Sequence, residues 1–100
     1  MDLEVRVRHG AMEDREAATE HVTGKLRRAL RRMGGRLAWV TVRLDDVNGP
    51  RGGNDKRCLV RAQTLAGARA IGKATAADPF GAIDGALRRA LRCLRGRRRG

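Results

Sequence analysis

Residues 78–95 read Asp-Pro-Phe-Gly-Ala-Ile-Asp-Gly-Ala-Leu-Arg-Arg-Ala-Leu-Arg-Cys-Leu-Arg and carry the strongest structural signal in the chain. The Asp78 side chain is suited to accept hydrogen bonds from the first free amides of a helix, and Pro79 loses nothing at the first helical position by lacking an N–H. The apolar residues that follow recur every three or four positions: Ile83, Ala86, Leu87, Ala90, Leu91 and Leu94. This spacing predicts an amphipathic helix that ends at Gly96.

The sequence before this helix divides into one more helix and four strands. Residues 12–33 again space their apolar side chains by three and four, and Gly34-Gly35 supplies a stop. Four segments alternate apolar and polar residues, the period of a half-buried strand: 3–9, 36–46, 56–65 and 68–75. In the last segment, Ala70, Gly72 and Ala74 are small enough to let a helix pack closely.

The predicted order β-α-β-β-β-α defines an α+β fold, a four-stranded sheet with two helices packed on one face. The 100 residues suffice for one compact domain, which we place at residues 1–96, followed by a basic tail at 97–100. The other face of the sheet is then expected to carry four larger apolar side chains. These are Leu37, Trp39, Leu59 and Ile71.

The charge of the chain indicates a polyanionic partner. Twenty-three Lys and Arg stand against eleven Asp and Glu, a formal net charge of +12. Arginine predominates, which favours forked contacts to phosphate, although codon bias in an arginine-rich proteome would also produce a solvated basic surface. Aromatic residues make up only 2% of the chain, which argues against base reading on an aromatic platform. Trp39 is equally suited to stack on a base or to cover the sheet.

Most other classes of function find little support. The chain has no serine, and Asp45 and Asp46 are adjacent on a predicted strand, so their side chains point to opposite faces and form no catalytic dyad. We therefore expect no enzyme, no small-molecule substrate and no cofactor. Four residues have metal-binding side chains but no metal-ligand spacing: His9, His21, Cys58 and Cys93. Both cysteines fall on predicted apolar faces and are interpreted as reduced thiols.

The sequence also indicates the compartment in which the protein works. No apolar run approaches the roughly 20 residues of a membrane span, and the N-terminal Met-Asp-Leu-Glu-Val-Arg does not resemble a secretory signal. A cytoplasmic protein is expected.

Residues 48–56 are rich in Gly, Asn and Asp and form a predicted hairpin loop. This loop is either a simple connection or a tip that reaches into a nucleic-acid groove.

The element order, together with Asp-Pro-Phe-Gly-Ala-Ile-Asp at residues 78–84 and the leucine-spaced basic helix after it, resembles the ribosome hibernation-promoting factor and ribosome-associated inhibitor family. The chain is similar to a short, divergent member, with Phe80 where the family usually has Tyr. The resemblance implies a fold like that of double-stranded-RNA-binding domains. It also implies docking on the small ribosomal subunit near the decoding centre, where the family contacts rRNA and suppresses translation in stationary phase or stress.

The resemblance also implies which residues bind rRNA. Two arginine-rich helix faces are the expected contacts: Lys25, Arg28, Arg31 and Arg32 from the first helix, and Arg88, Arg89, Arg92 and Arg95 from the second. Asp84 is expected to order local structure. The C-terminal domain with which long members pair ribosomes is not expected here, and the free protein is expected to be a monomer.

Two alternative functions remain open on the sequence. The same basic face would serve a general RNA- or DNA-binding protein without ribosomal specificity. The open sheet face, in contrast, would serve a protein-interaction subunit whose charge is incidental. Salt separates them, because electrostatic binding to a polyanion weakens steeply as salt rises and an apolar interface does not.

Overall fold

The computed structural model describes residues 1–8, 15–33, 35–46 and 55–97. Six elements follow one another in the predicted order. They are β1 (Asp2–Arg8), α1 (Arg15–Met33), β2 (Leu37–Asp46), β3 (Lys56–Thr64), β4 (Arg69–Ala76) and α2 (Pro79–Arg97). The fold is α+β, as predicted. Most element boundaries lie within one or two residues of the predicted ones, and α2 extends one residue past Gly96.

The four strands form one sheet in the order β1-β2-β3-β4. β1 pairs with β2 in parallel, with Val5 opposite Val42. A parallel pair requires a crossover connection, and α1 provides it. β2, β3 and β4 are successive antiparallel neighbours, so Val42 lies opposite Val60 and Val60 opposite Gly72. β1 therefore forms one edge of the sheet and β4 the other.

The core lies between one face of this sheet and the two helices. Ala18, Val22 and Leu26 of α1 are buried, together with a longer apolar stripe on α2. That stripe consists of Ala82, Ile83, Ala86, Leu87, Ala90 and Leu94. No polar or charged residue of the described part of the chain is buried. Because both helices use the same face, the opposite face of the sheet is left open.

The residues predicted to begin α2 and to end α1 make the expected contacts. The N–H of Gly81 donates to Oδ2 of Asp78 at 2.9 Å, which caps the start of α2. Gly35 adopts a φ of 70°, and its N–H donates to the carbonyl of Leu30 at 3.0 Å. This left-handed residue closes α1 without the steric cost that a side chain would bring.

Small residues bring α2 onto β4, as predicted. A Cβ atom added to Gly72 would lie 2.1 Å from the Ala86 carbonyl oxygen and 2.6 Å from the Ala90 nitrogen. A Cβ on Gly85 would lie 2.8 Å from the Cβ of Ala74. The helix backbone therefore rests almost directly on the strand, which fixes the position of α2 and of its basic residues.

The prediction that Leu37 points away from the core is wrong. Leu37 is only 2% exposed and belongs to the core. The register of β2 against β3 shifts between Leu37 and Trp39, so one extra residue is accommodated there. A bulge of this kind changes the phase of the side-chain alternation. Leu37 therefore lies on the helix side of the sheet while Trp39 keeps the opposite side.

The prediction for Cys93 is also wrong, whereas Cys58 lies in the core as expected. Cys93 is exposed. α2 packs on β3 and β4, and β4 is the edge of the sheet. No described element lies beyond that edge to cover the outward side of the helix.

Within the described residues, no helix is both long enough and apolar enough to cross a membrane.

Candidate nucleic-acid interface

A groove of about 330 Å³ runs between α1 and α2 on the outer surface of the helical layer. Its walls carry five cationic side chains, three from α1 and two from α2. They are Lys25, Arg28, Arg32, Arg88 and Arg95. Its floor is apolar and consists of Ala29, Leu87 and Leu91. The groove therefore combines converging positive charge with a hydrophobic base that holds the two helices together.

Asp84 lies at the same groove and joins the two helices. Its Oδ1 atom is 2.6 Å from Nε2 of His21 and 3.8 Å from Nζ of Lys25. The His21 ring also packs against Phe80, with a centroid distance of 4.7 Å and an interplanar angle of 56°. Asp84 thus draws α1 to the start of α2, which is the ordering role expected of it, and it partly neutralises one end of the groove.

Among the described residues, the four groove arginines have no acidic partner. In the described part of the chain, none of the arginines at positions 28, 32, 88 and 95 makes an ion pair. Their side chains lie on exposed helix positions. Guanidinium groups present several donors in a planar fork that matches phosphate oxygens. Four such unpaired forks around one groove form a surface that is suited to a phosphate backbone.

The remaining three predicted site residues do not line this groove. Arg31 and Arg92 are exposed elsewhere on their helices. Arg89 points toward the sheet edge, where its Nη1 donates to the carbonyl oxygen of Lys73 at 2.6 Å. The structure thus brings five of the eight predicted residues together and gives Arg89 a structural contact with β4.

His21 is the groove-side residue that sequence reasoning did not assign to this site. From the sequence His21 is only a candidate metal ligand, and its partner Asp84 lies 63 positions away in the chain. The signal that points to it is its place on α1, one turn before Lys25, on the helix face that carries the groove cations. Nothing in the local sequence identifies the residue that it meets.

The other reactive groups form no catalytic arrangement among the described residues. Asp45 is within ion-pair distance of Arg8 and Arg43, while Asp46 pairs with Lys56 at 3.2 Å. Burial, reinforced by the charge of Asp45, raises the pKa of the Cys58 thiol to about 12. This thiol is therefore protonated and inert at neutral pH. Within the same residues, no cluster of His, Cys, Asp and Glu is able to hold a metal ion.

The loop predicted at residues 48–56 lies mostly outside the described residues, which resume at Asp55. Of this segment, Lys56 is described and begins β3. Lys56 is largely buried against Asp46, with which it forms the ion pair that closes the end of β2 and β3. The two interpretations of the loop, a simple connection or a tip that reaches into a groove, stay predictions.

The fold and groove together define a class: a four-stranded α+β protein with a cationic cleft between its two helices. The structure is similar to that of a ribosomal subunit interface protein from Coxiella burnetii, with a TM-score of 0.78 over 100% of both chains and 14% sequence identity. At this identity the likeness concerns the fold. No family model and no curated protein matched the sequence.

Proposed function

We propose that this protein is a non-enzymatic, ribosome-associated factor that binds small-subunit rRNA near the decoding centre. The observation that carries the proposal is the groove between α1 and α2, where four arginines that make no ion pair with any described residue surround an apolar floor. Occupation of the decoding region would exclude mRNA and tRNA. The protein would thereby inhibit translation and protect inactive ribosomes under stress or in stationary phase.

Two further observations support a ribosomal partner. The structural neighbour is described as a ribosomal subunit interface protein and matches this fold over its full length. The sequence at residues 78–91 resembles the hibernation-factor family in its acidic motif and its basic helix. A protein that acts on ribosomes in this way works in the cytoplasm, needs no cofactor and enters its site as a monomer.

The groove would act on RNA by shape and charge. Arginine forks from both walls contact phosphates of a structured RNA segment and release its condensed counterions. The apolar floor of Ala29, Leu87 and Leu91 packs the helices together and so fixes the separation of the two walls. Asp84 repels phosphate at its end of the groove. This carboxylate therefore limits where along the groove a backbone is able to lie.

The test is sedimentation of a stationary-phase lysate of the source cells on sucrose gradients at low and high salt, with detection by immunoblot. We expect the protein in the fractions of the small subunit and whole ribosomes at low salt, and at the top of the gradient at high salt. The salt effect is expected because binding by phosphate contacts weakens as counterions compete.

Two results would contradict the proposal. A protein that stays at the top of both gradients does not associate with ribosomes, and general RNA or DNA binding then becomes the better explanation of the groove. A protein that stays with ribosomes at high salt is held by apolar contacts rather than by arginine.

Toeprinting of initiation complexes with purified small subunits tests the decoding-centre location, since a bound factor is expected to block mRNA and tRNA there.

A further inference from the structure

The open face of the sheet is a second basic surface, on the opposite side of the molecule from the groove. Side chains that point away from the core alternate along each strand and are mostly exposed. Arg6, Arg8 and Arg43 occupy this face on β1 and β2, and Arg57, Arg61, Arg69 and Lys73 occupy it on β3 and β4. The rRNA contacts predicted from the sequence all lie on the two helices and include none of these cations.

The two halves of this face differ in how their charges are compensated. On the β1–β2 half, Glu4 pairs with Arg6 at 2.5 Å, and Asp45 lies 3.4 Å from Arg43. On the β3–β4 half, no outward position is acidic. Its four cations make no ion pair within the described part of the chain. Because Arg57 lies opposite Asp45 of β2, the uncompensated charge of the described residues is concentrated at Arg61, Arg69 and Lys73.

Two cations of this half, Arg61 and Lys73, alternate with apolar side chains both along the strand and across it. Along β3 the outward residues are Arg57, Leu59 and Arg61, and across the strands Arg61 lies opposite Ile71 and Leu59 opposite Lys73. Arg61 and Lys73 therefore each have an apolar neighbour along the strand and across it, and with Leu59 and Ile71 they form a two-by-two checkerboard. Arg57 and Arg69 extend it at either end, opposite Thr75 and Gln63. Ile71 is 55% exposed and lies diagonally from the half-buried Leu59, so the two form a small apolar patch between the cations.

A checkerboard of this kind fits one class of ligand well. A single-stranded nucleic acid alternates phosphates with the flat apolar faces of unpaired bases, and proteins bind it with cationic grooves interleaved with stacking side chains. Trp39 extends the surface, since it lies on β2 opposite Gln63 of β3 and is half-buried. A protein partner would need acidic side chains at the same spacing as these cations. In a nucleic acid, the phosphates already repeat at a regular spacing along the backbone.

We propose that the β3–β4 half of the open sheet face binds single-stranded RNA, independently of the groove between the helices. This surface is distinct from the proposed rRNA site, because the sheet separates the two. Recognition is of backbone and unpaired bases without sequence reading, because the face has one aromatic side chain and no ordered array of them. The protein would then hold a structured RNA segment on one side and an unpaired strand on the other.

The experiment titrates the purified protein with an oligouridylate of about 12 nucleotides, a length within the range that such surfaces cover. Two readouts are followed, the binding constant as a function of salt and the fluorescence of Trp39, which is the sole tryptophan. The sheet variant is Arg61→Gln/Lys73→Gln. Its matched control is Arg88→Gln/Arg95→Gln, which removes the same charge from the groove.

We expect the oligouridylate to change Trp39 fluorescence in the wild-type protein and in the groove variant. In the sheet variant, loss of two phosphate contacts should reduce the slope of log binding constant against log salt by about 1.4. Circular dichroism checks that the variant is folded. If it is not, Lys73→Gln alone, at an exposed position of the edge strand, should reduce the slope by about 0.7.

Several outcomes would overturn the proposal. One is a wild-type protein that does not bind the oligouridylate, and another is a sheet variant that keeps both the wild-type slope and the wild-type fluorescence change. A groove variant that loses the fluorescence change would place all binding in the groove. Ribosome sedimentation of the sheet variant keeps the two proposals apart, because the groove alone is expected to retain it on ribosomes.

Discussion

The Nε2 atom of His21 on α1 lies 2.6 Å from the Oδ1 atom of Asp84 on α2, although the two residues are 63 positions apart in sequence. Lys25, one turn further along α1, lies 3.8 Å from the same oxygen. One carboxylate therefore ties together the two helices that form the cationic groove. The same charge opposes phosphate within that groove, so its contributions to stability and to RNA binding have opposite signs.

Asp84→Asn should separate these two contributions. Replacing the carboxylate with a neutral amide should weaken the contact to His21 and lower the free energy of unfolding by about 0.5–1.5 kcal/mol, which urea titration measures. Removal of a negative charge from the groove should raise RNA affinity about threefold at low salt, measured by filter binding. Glu16→Gln, on an exposed position in the first turn of α1, is the control for loss of one negative charge. Equal gains in affinity for both variants would contradict a local role of Asp84.

Charge reversal in the groove should abolish ribosome association. Arg88→Glu/Arg95→Glu places two carboxylates where the proposed phosphates would lie, so co-sedimentation with ribosomes should be lost. Arg31→Glu/Arg92→Glu makes the same change in net charge at positions that do not line the groove. That control should retain ribosome association at low salt. If both variants lose it equally, the whole basic surface acts, and the groove is not the site.

The salt dependence of binding should report the number of groove contacts. Five cations line the groove. If all five neutralise phosphates of a structured RNA, a plot of log binding constant against log salt should have a slope of about −4 to −5. Fluorescence anisotropy with a labelled RNA hairpin measures it. A slope near zero would exclude a phosphate-binding groove.

Gly72→Ala should destabilise the fold strongly. Its Cβ would lie 2.1 Å from the Ala86 carbonyl oxygen, and the obstacle is backbone of α2, so the helix has to move. We expect a loss of about 1–3 kcal/mol or more in the free energy of unfolding. Gly24→Ala is the matched control, because a Cβ there meets nothing within 4 Å and the residue lies inside α1. That change should stabilise the protein by about 0.5–1 kcal/mol.

The two cysteines should differ in reactivity. Iodoacetamide at neutral pH should label exposed Cys93 and leave Cys58 unmodified, as peptide mass spectrometry would show. The raised pKa of Cys58 also has a consequence for stability. Above pH 9.0 the unfolded chain loses this proton while the folded protein keeps it up to about pH 12, so stability should fall across that window. Cys58→Ala should show a smaller fall over the same range.

Several features follow from local sequence alone, for physical reasons that act within a few residues. The alternation in residues 3–9 and the three-four spacing after Pro79 each place apolar side chains on one face of an element. The Asp78 cap and the left-handed Gly35 end or begin helices by contacts with their immediate neighbours. These signals were sufficient to predict the number, type and order of the elements.

Where local periodicity is broken, the sequence pattern misleads. Strict alternation places Leu37 on the open face, whereas the shift in register before Trp39 turns it into the core. A bulge depends on the fit between two strands, and neither strand encodes it alone. Cys93 shows the same limit, because its exposure depends on where the sheet ends beneath α2.

The sequence by itself determined the α+β class, the apolar face of each helix and the excess of arginine, because periodicity and charge are properties of the chain. Only the tertiary structure decided which cations meet. Lys25 and Arg28 share a groove with Arg88 and Arg95, while Arg89 turns to the carbonyl of Lys73. That outcome is set by the packing of α2 on Gly72 and by the contact between His21 and Asp84. Both join residues far apart in sequence, so only the folded chain brings them together.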